Sequence, residues 1–480
     1  MNKKYTFYII GKIIKFEALM LTPPLIVSLI YRDGGYLAFL VTIAISLLLG
    51  YALTLTCKTE NKLIFSKEGF VITAFSWLLI SAIGALPFVI SGDIPSYVNA
   101  FFETVSGFTT TGASILTNVE VMRPSMLFWR SFTHWLGGMG VLVFVMALLP
   151  SLCDRSIYIM KAEMPGPIVG KLVPRVRSTA TILYLIYIGM TAIQVILLLC
   201  GGMDLFESLI HAFGTAGTGG FGIKSDSIGS YSPYLQWVIT VFMLLFGINF
   251  NLYYLILIKK LRVALSSGEL WCYLGIILAS TVIISANIFP TYGGFAESLK
   301  HAAFQVSSII TTTGYSTTDF NLWPSLSKSI LFVLMFVGGC AGSTGGGLKV
   351  SRIMILFKQM WREIVRAIHP RSRKAMRHEG KVLEESTLNG ATSYFALFAA
   401  SFACVFLLIS FDSFDFETNL TAVAACINNI GPGFGLVGPM GSFDCYSDLS
   451  TLVLSIAMLI GRLEIYPFLI AVMPGTWRNK

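Results

Sequence analysis

Apolar residues run through this chain in long blocks, not at the alternating spacing of half-buried strands. Ten blocks reach the length of about 20 residues that a bilayer-spanning helix needs: roughly 8–31, 36–56, 69–91, 125–150, 179–201, 234–258, 270–290, 327–350, 391–411 and 449–473. An even number of spans places both termini on one side. Between them lie shorter amphipathic runs at 97–108, 204–213, 295–310 and 416–430. At about 1.5 Å per residue none can cross about 30 Å of hydrocarbon, so each is expected to enter the membrane and turn back.

A glycine-bearing loop follows each short run. The first is Thr109-Thr110-Thr111-Gly112-Ala113-Ser114, and it returns as Gly219-Gly220-Phe221-Gly222, Thr311-Thr312-Thr313-Gly314-Tyr315-Ser316 and Pro432-Gly433-Phe434-Gly435. Repeated units outrank any local motif. Re-entrant backbone is tolerated at membrane depth only where protein buries it or where it lines a water-filled cavity, and four such segments can satisfy one another around a shared axis. The pattern therefore predicts an all-α polytopic membrane protein of about ten transmembrane helices. Four span/re-entrant helix/span repeats would stand in pseudo-fourfold arrangement around one central pore. A transmembrane helix pair occupies 1–67, and the repeats occupy 68–178, 179–269, 270–390 and 391–480.

Composition agrees with this pattern: 55% of residues are hydrophobic and 12% are charged, about half the charge of a soluble domain. The net charge of +9 raises the possibility of nucleic acid, but most of the Lys and Arg lie in the N-terminal segment, the alternate loops 57–68, 151–178, 259–269 and 349–390, and the C-terminal tail. The opposite loops hold only Arg32, Arg123, Lys224 and Lys300. Such asymmetry follows the positive-inside rule, so both termini are expected to be cytoplasmic and no nucleic-acid footprint is implied. The first span, with Lys12, Lys15, Glu17 and Pro23-Pro24, does not resemble a cleavable signal peptide. The eight cysteines show no CxxC pair or metal-ligand spacing and are expected to be reduced, packed thiols.

The four glycine loops carry the candidate chemistry. A cation leaving water needs its hydration shell replaced, and a ring of backbone carbonyls, with the negative C-terminal ends of re-entrant helices behind it, supplies that replacement. Glycine takes the positive φ needed to turn successive carbonyls to one side. Threonine before it adds a hydroxyl. A filter for a cation such as potassium is thus expected at Thr110, Thr111, Gly112, Gly219, Gly220, Thr312, Thr313 and Gly314. In the fourth repeat the candidates are Asn429, Ile430, Gly431 and Gly433, with the ring position at Gly433 or, if the register slips, at Gly431.

The run Gly338-Gly339-Cys340-Ala341-Gly342-Ser343-Thr344-Gly345-Gly346-Gly347 interrupts the eighth span. It is not a phosphate loop: Leu348 follows Gly347, and the lysine arrives one place late at Lys349. Close helix packing and an unwound gate beneath the filter both fit, with Gly338, Gly339, Gly342, Ser343, Thr344, Gly345, Gly346 and Gly347 as gate candidates. Arg462 lies within the last span, where a charge must face protein or water. It either pairs with Glu464 or a carbonyl, or stands beside the pore as a barrier to cations. The stretch 349–381 holds ten basic residues against Glu363 and Glu379. It fits anchoring on anionic headgroups of membrane lipid or docking of an acidic or nucleotide-bearing subunit. His134, His211 and His301 are read as packing or vestibule residues. The outer acids Asp93, Glu103, Asp412, Asp415 and Glu417 either concentrate cations at the mouth or are solvated loop charge.

On Thr110-Thr111-Gly112, Gly219-Gly220-Phe221, Thr312-Thr313-Gly314-Tyr315, 428–433, 338–347 and Gly461-Arg462-Leu463-Glu464, the chain resembles the potassium-uptake membrane subunits of the Trk/Ktr/HKT superfamily, in its Trk-type branch. The resemblance implies potassium ion as substrate, with no cofactor in this chain, and uptake across a bacterial cytoplasmic membrane driven by the membrane potential. It also implies filter glycines at Gly112, Gly220, Gly314 and Gly433, a gate at 338–347, a pore arginine at Arg462, a homodimer with one pore per chain, and a cytosolic NAD- or ATP-binding regulatory subunit. A first-repeat serine is associated in that family with sodium permeation, and glycine stands here. Two alternatives remain. One is sodium-coupled or sodium-preferring transport through broken helices. The other is an integral-membrane enzyme, which lacks any HExxH, GxSxG or paired carboxylate-histidine motif.

Overall fold

The computed structural model describes residues 1–61, 63–141, 176–371 and 376–477. Residues 142–150 of the expected span 125–150 and residues 151–175 of the loop 151–178 lie outside the described residues, Cys153 among them. Apart from a two-residue antiparallel hairpin, β1 (Arg377–His378) with β2 (Lys381–Val382), the described chain is helical.

The helices are α1 (Lys3–Met20), α2 (Thr22–Tyr31), α3 (Tyr36–Thr56), α4 (Ser66–Gly84), α5 (Leu86–Ser91), α6 (Tyr97–Phe108), α7 (Pro124–Gly138), α8 (Val176–Cys200), α9 (Leu205–Ala216), α10 (Pro233–Phe246) and α11 (Phe250–Leu257). They continue with α12 (Leu261–Leu265), α13 (Gly268–Tyr292), α14 (Phe295–Ile310), α15 (Ser325–Val337), α16 (Val350–Ile368), α17 (Glu385–Ile409), α18 (Phe416–Ile427), α19 (Asp448–Arg462), α20 (Tyr466–Val472) and α21 (Pro474–Trp477). Among the described residues six spans are continuous, and two bent pairs raise the number to eight if each pair is one span.

Local chemistry sets the boundaries of the re-entrant helices α6, α9, α14 and α18. Ser96, Asp204 and Asp415 accept the amides of Asn99, Glu207 and Thr418 as N-caps, satisfying donors that a helix start leaves orphaned. Prolines then open the helices that follow: Pro124 in α7, Pro233 in α10 and Pro324 capping α15. The second short helix runs on to Ala216, past the expected end at 213. The fourth stops at Ile427, short of the expected 430, because Asn428 caps it and Asn429 turns into the left-handed region.

The four repeats close a cycle. The second helix of each packs on the re-entrant helix of the next: α7 on α9, α10 on α14, α15 on α18, and α19 back on α6. Outward faces of α3, α8, α13 and α17 leave Leu48, Leu185, Leu278 and Leu407 exposed, as a lipid-facing shell requires. Ahead of the cycle α1 lies along α3 and against α4; Gly11 and Gly50 let α1 and α3 approach until a side chain on either would meet the opposite backbone.

The spans expected as continuous at 234–258 and 449–473 are instead broken, α10 to α11 by 91° and α19 to α20 by 118°. The first break, at Gly247-Ile248-Asn249, survives because the glycine-rich loop takes up its freed backbone groups: Cys340 N–H donates to the Gly247 carbonyl at 2.9 Å and Phe250 N–H to that of Gly342 at 3.0 Å. The second follows from left-handed φ at Glu464 (56°) and Ile465 (66°). The span expected at 327–350 ends as helix at Val337, where Gly338 takes φ 73°. The cysteines are not uniformly packed: Cys340 and Cys426 are buried, while Cys200, Cys404 and Cys445 face outward.

Candidate functional site

All four re-entrant helices end in the same way. The C-cap residue is followed by one in the left-handed region, Thr110 (57°), Thr218 (54°), Thr312 (58°) or Asn429 (56°). The next amide bonds back into its own helix: Thr111 N–H to Ser106 O at 2.9 Å, Gly219 to Gly214 at 2.8 Å, Thr313 to Ser308 at 2.8 Å and Ile430 to Ala425 at 2.9 Å. A glycine at positive φ then follows, Gly112 (81°), Gly220 (77°), Gly314 (85°) or Gly431 (102°).

These equivalences identify the fourth ring glycine. A side chain on Gly112 would run into the Gly219 carbonyl, one on Gly220 into Thr313, and one on Gly314 into Ile430; one on Gly431 would come within 2.9 Å of the Thr111 carbonyl. Four carbonyls and four glycines thus form one closed ring. Gly112, Gly220, Gly314 and Gly431 also line a common vestibule of about 130 Å³. Gly433, the expected ring position, is outside it: its amide donates to Val437 at 2.7 Å, and a side chain there would press on Thr421 and Val437. Of the two glycines flanking Pro432 the ring uses the earlier one, because the Asn428-Asn429 cap sets the register two residues before Gly433.

Hydroxyls brace the ring from behind. Thr109 and Thr111 pair at 2.8 Å, as do Thr311 and Thr313. All six threonines of loops one and three, 109–111 and 311–313, are buried.

The glycine-rich loop lies directly against this ring, at the C-terminal ends of α14 and α18. Gly346 N–H donates to the Thr312 hydroxyl at 2.6 Å, and side chains on Gly345 or Gly346 would meet the carbonyls of Thr311 and Asn428 at the ends of α14 and α18. Gly338, Gly342 and Gly347 all take left-handed φ, and a side chain on Gly339 would press on Ser343 and Gly247. Glu269 at the start of α13 accepts the amides of Ala341 (2.7 Å) and Ser351 (3.1 Å). Ser343 donates to its own loop at Cys340 and Thr344 donates to Phe246, so both hydroxyls hold the loop together. The buried Lys349 ammonium donates to the Gly345 carbonyl.

Arg462 reaches the same level. It donates to the carbonyls of Thr344 (3.0 Å), Gly137 (2.6 Å) and Gly138 (2.7 Å), joining the last span to the glycine-rich loop and to the end of α7. Glu464 accepts from Arg352 at 2.9 Å.

The family model for TrkH, a cation transport protein, matches residues 36–267 and 292–476. The chain belongs to this family. Among relatives, the Trk system potassium uptake protein TrkH of Escherichia coli (strain K12) is 36% identical over 474 residues, 97% of each chain. TrkG of the same organism is 33% identical over 478 residues, covering 98% of this chain and 97% of that one. The crystal structure of the potassium transporter TrkH from Vibrio parahaemolyticus superposes with a TM-score of 0.89 at 31% identity over 100% of both chains. As a Trk-type subunit the chain is a multi-pass membrane protein.

Within the cycle of repeats the structure adds Arg130, which the sequence pattern does not single out, as the partner of Glu103. Glu103, one of the five outer acids and neither a mouth carboxylate nor solvated loop charge, is fully buried on α6. It pairs with Arg130 of α7 and accepts the Ser114 hydroxyl at 3.0 Å and the Ile115 amide at 3.1 Å. Arg130 also donates to Gly222 O at 3.2 Å and lies 3.6 Å from the Phe221 ring centroid, so the pair ties the exits of loops one and two together. Arg130 carries the same signal that distinguishes Arg462, a charge inside an apolar span. The other outer acids serve local structure: Asp93 pairs with Arg123 at 2.9 Å, and Asp412 accepts the Ser447 amide and hydroxyl, each at 2.9 Å. Glu417 pairs with Lys328, and the Thr418 hydroxyl and amide hold the Asp415 carboxyl below its usual range. His211 of α9 meets the Tyr231 hydroxyl at 3.1 Å and His301 of α14 that of Thr317 at 2.9 Å.

Proposed function

We propose that the chain takes up potassium ion through the ring formed by Thr110, Thr111, Gly112, Gly219, Gly220, Thr312, Thr313, Gly314, Asn429, Ile430 and Gly431. The membrane potential drives the ion inward. The observation that carries this reading is the closed cycle of the Thr111, Gly219, Thr313 and Ile430 carbonyls, each set against the next loop's glycine. Such a ring replaces hydration oxygens without side-chain charge. The relatives carry the name of potassium uptake proteins.

Segments 68–178, 179–269, 270–390 and 391–480 act as the four pore repeats behind the helix pair 1–67. Loop 338–347 is the gate beneath the ring, latched by Gly346 to Thr312 and by Thr344 to Arg462, whose charge also raises the barrier to cations. The basic stretch 349–381 leads from that loop to a cytosolic nucleotide-binding subunit that sets its position. The protein works as a homodimer with one pore per chain in a bacterial cytoplasmic membrane, termini inside.

Purified protein in liposomes tests this directly. Potassium influx driven by a membrane potential alone, with no sodium or proton gradient, is the expected result. Strict dependence on either gradient would instead make it a coupled transporter.

A further inference from the structure

Loop two differs from loops one and three by two side chains. Thr109 and Thr111 in loop one, and Thr311 and Thr313 in loop three, meet through their hydroxyls at 2.8 Å and fill the space behind the ring. The equivalent positions in loop two are Gly217, the C-cap of α9, and Gly219. Both glycines face one residue of another repeat, His134 of α7. A side chain on Gly219 would overlap the His134 imidazole, and one on Gly217 would overlap the His134 carbonyl and come within 3.1 Å of its Cβ.

The histidine is fully buried, with its ring 4.1 Å from that of Phe221, and the imidazole occupies the volume that a side chain on Gly219 would need. The face of α7 that carries it explains why one helix can back the whole loop. Residues spaced four and three apart share a helical face. Arg130 meets Gly222 and Phe221, His134 meets Gly219 and Phe221, and Gly138 meets Gly217. Loop two is thus packed from exit to base by a helix of the first repeat.

We propose that His134 is the brace of the second filter loop, its ring filling the space at Gly219 and its backbone carbonyl that at Gly217 where loops one and three carry a threonine pair, and that it thereby helps determine which cation passes. The proposal rests on the reading of the ring as an ion filter. A carbonyl ring selects only while its oxygens are held at one spacing, and tightly packed sites respond to the loss of a few atoms. Without the imidazole, Gly219 is left with backbone free to move away from the axis.

The test is the potassium-to-sodium permeability ratio in liposomes for five variants, with size-exclusion profile and thermal unfolding as folding controls. H134A is expected to lower the ratio about tenfold, whereas H134F, which keeps a ring of similar size, is expected to stay within about twofold of the parent. G219T with His134 present should lose transport, and so should G217T/G219T. H134A/G219T, which installs the ring-side threonine in the space the imidazole vacates, should recover most of the ratio lost in H134A. Parental selectivity in H134A, loss of selectivity in H134F, or an H134A/G219T variant no better than H134A would each overturn the brace. Gly112→Ser in the same liposomes separates the two readings. If it leaves the ratio unchanged, the filter reading fails; if it lowers the ratio while H134A does not, only the brace fails.

Discussion

Asn429 Nδ2 donates to the Thr111 hydroxyl at 2.9 Å across 318 positions of sequence. The same nitrogen donates to the Met458 carbonyl at 3.0 Å. One amide thus joins the fourth loop to the first and anchors both to α19, at the seam where the cycle of repeats closes. The ring is completed by a side-chain contact, and asparagine suits the place twice, because it also tolerates the left-handed φ of 56° found there.

Asn429→Ala removes both bonds and puts a less tolerant residue in the left-handed region. The expected cost is about 2–3 kcal/mol of stability, read as a fall in melting temperature, together with a several-fold lower potassium-to-sodium ratio. Asn429→Asp keeps the shape but not the donor and should share the selectivity loss.

Gly431→Ser and Gly433→Ser separate the two registers of the fourth loop. The first places a side chain at φ 102° against the Thr111 carbonyl and should abolish selective flux. The second crowds Thr421 and Val437 behind the loop, and should cost about 1–3 kcal/mol in thermal unfolding while keeping the permeability ratio near that of the parent.

Glu103→Gln leaves the Arg130 guanidinium buried without its counter-charge, an arrangement that costs about 3–5 kcal/mol. Removing both charges with Glu103→Leu/Arg130→Met should cost less than Glu103→Gln alone, because no unpaired charge remains. Differential scanning calorimetry of the purified variants reads both.

Arg462→Ala withdraws three backbone hydrogen bonds and the charge at the level of the glycine-rich loop. Potassium leak in the absence of any regulatory subunit should rise several-fold. Arg462→Lys keeps the charge but lacks the planar fork that reaches carbonyls of two elements, and should lie between. A leak equal to the parent in Arg462→Ala would remove the barrier role.

Much of the fold can be read from periodicity and length. The short helices at Tyr97–Phe108 and Phe295–Ile310 are legible because an amphipathic run too short to span, followed by Gly and Thr, fits little besides a re-entrant helix. The breaks at Gly247 and Glu464 are not, since hydropathy is blind to a kink inside an apolar block. The first is stabilised by partners such as Gly342 and Cys340, which lie distant in the chain. The register of the fourth loop escapes the sequence for a related reason. Gly431 and Gly433 are equivalent as letters, and what distinguishes them is three-dimensional: the bond from Ile430 back to Ala425 and that from Gly433 to Val437. His134 is the sharpest case: loop two departs from the threonine pattern because a residue of another repeat already fills that space, with its ring at Gly219 and its carbonyl at Gly217, and nothing local records it.

The most direct test of the filter is the location of the ion itself. Crystals grown in rubidium, with data collected at its absorption edge, should show anomalous density on the axis, coordinated by the Thr111, Gly219, Thr313 and Ile430 carbonyls at about 3 Å. Density at another site, or an empty ring in crystals whose protein still carries rubidium in flux assays, would contradict the account.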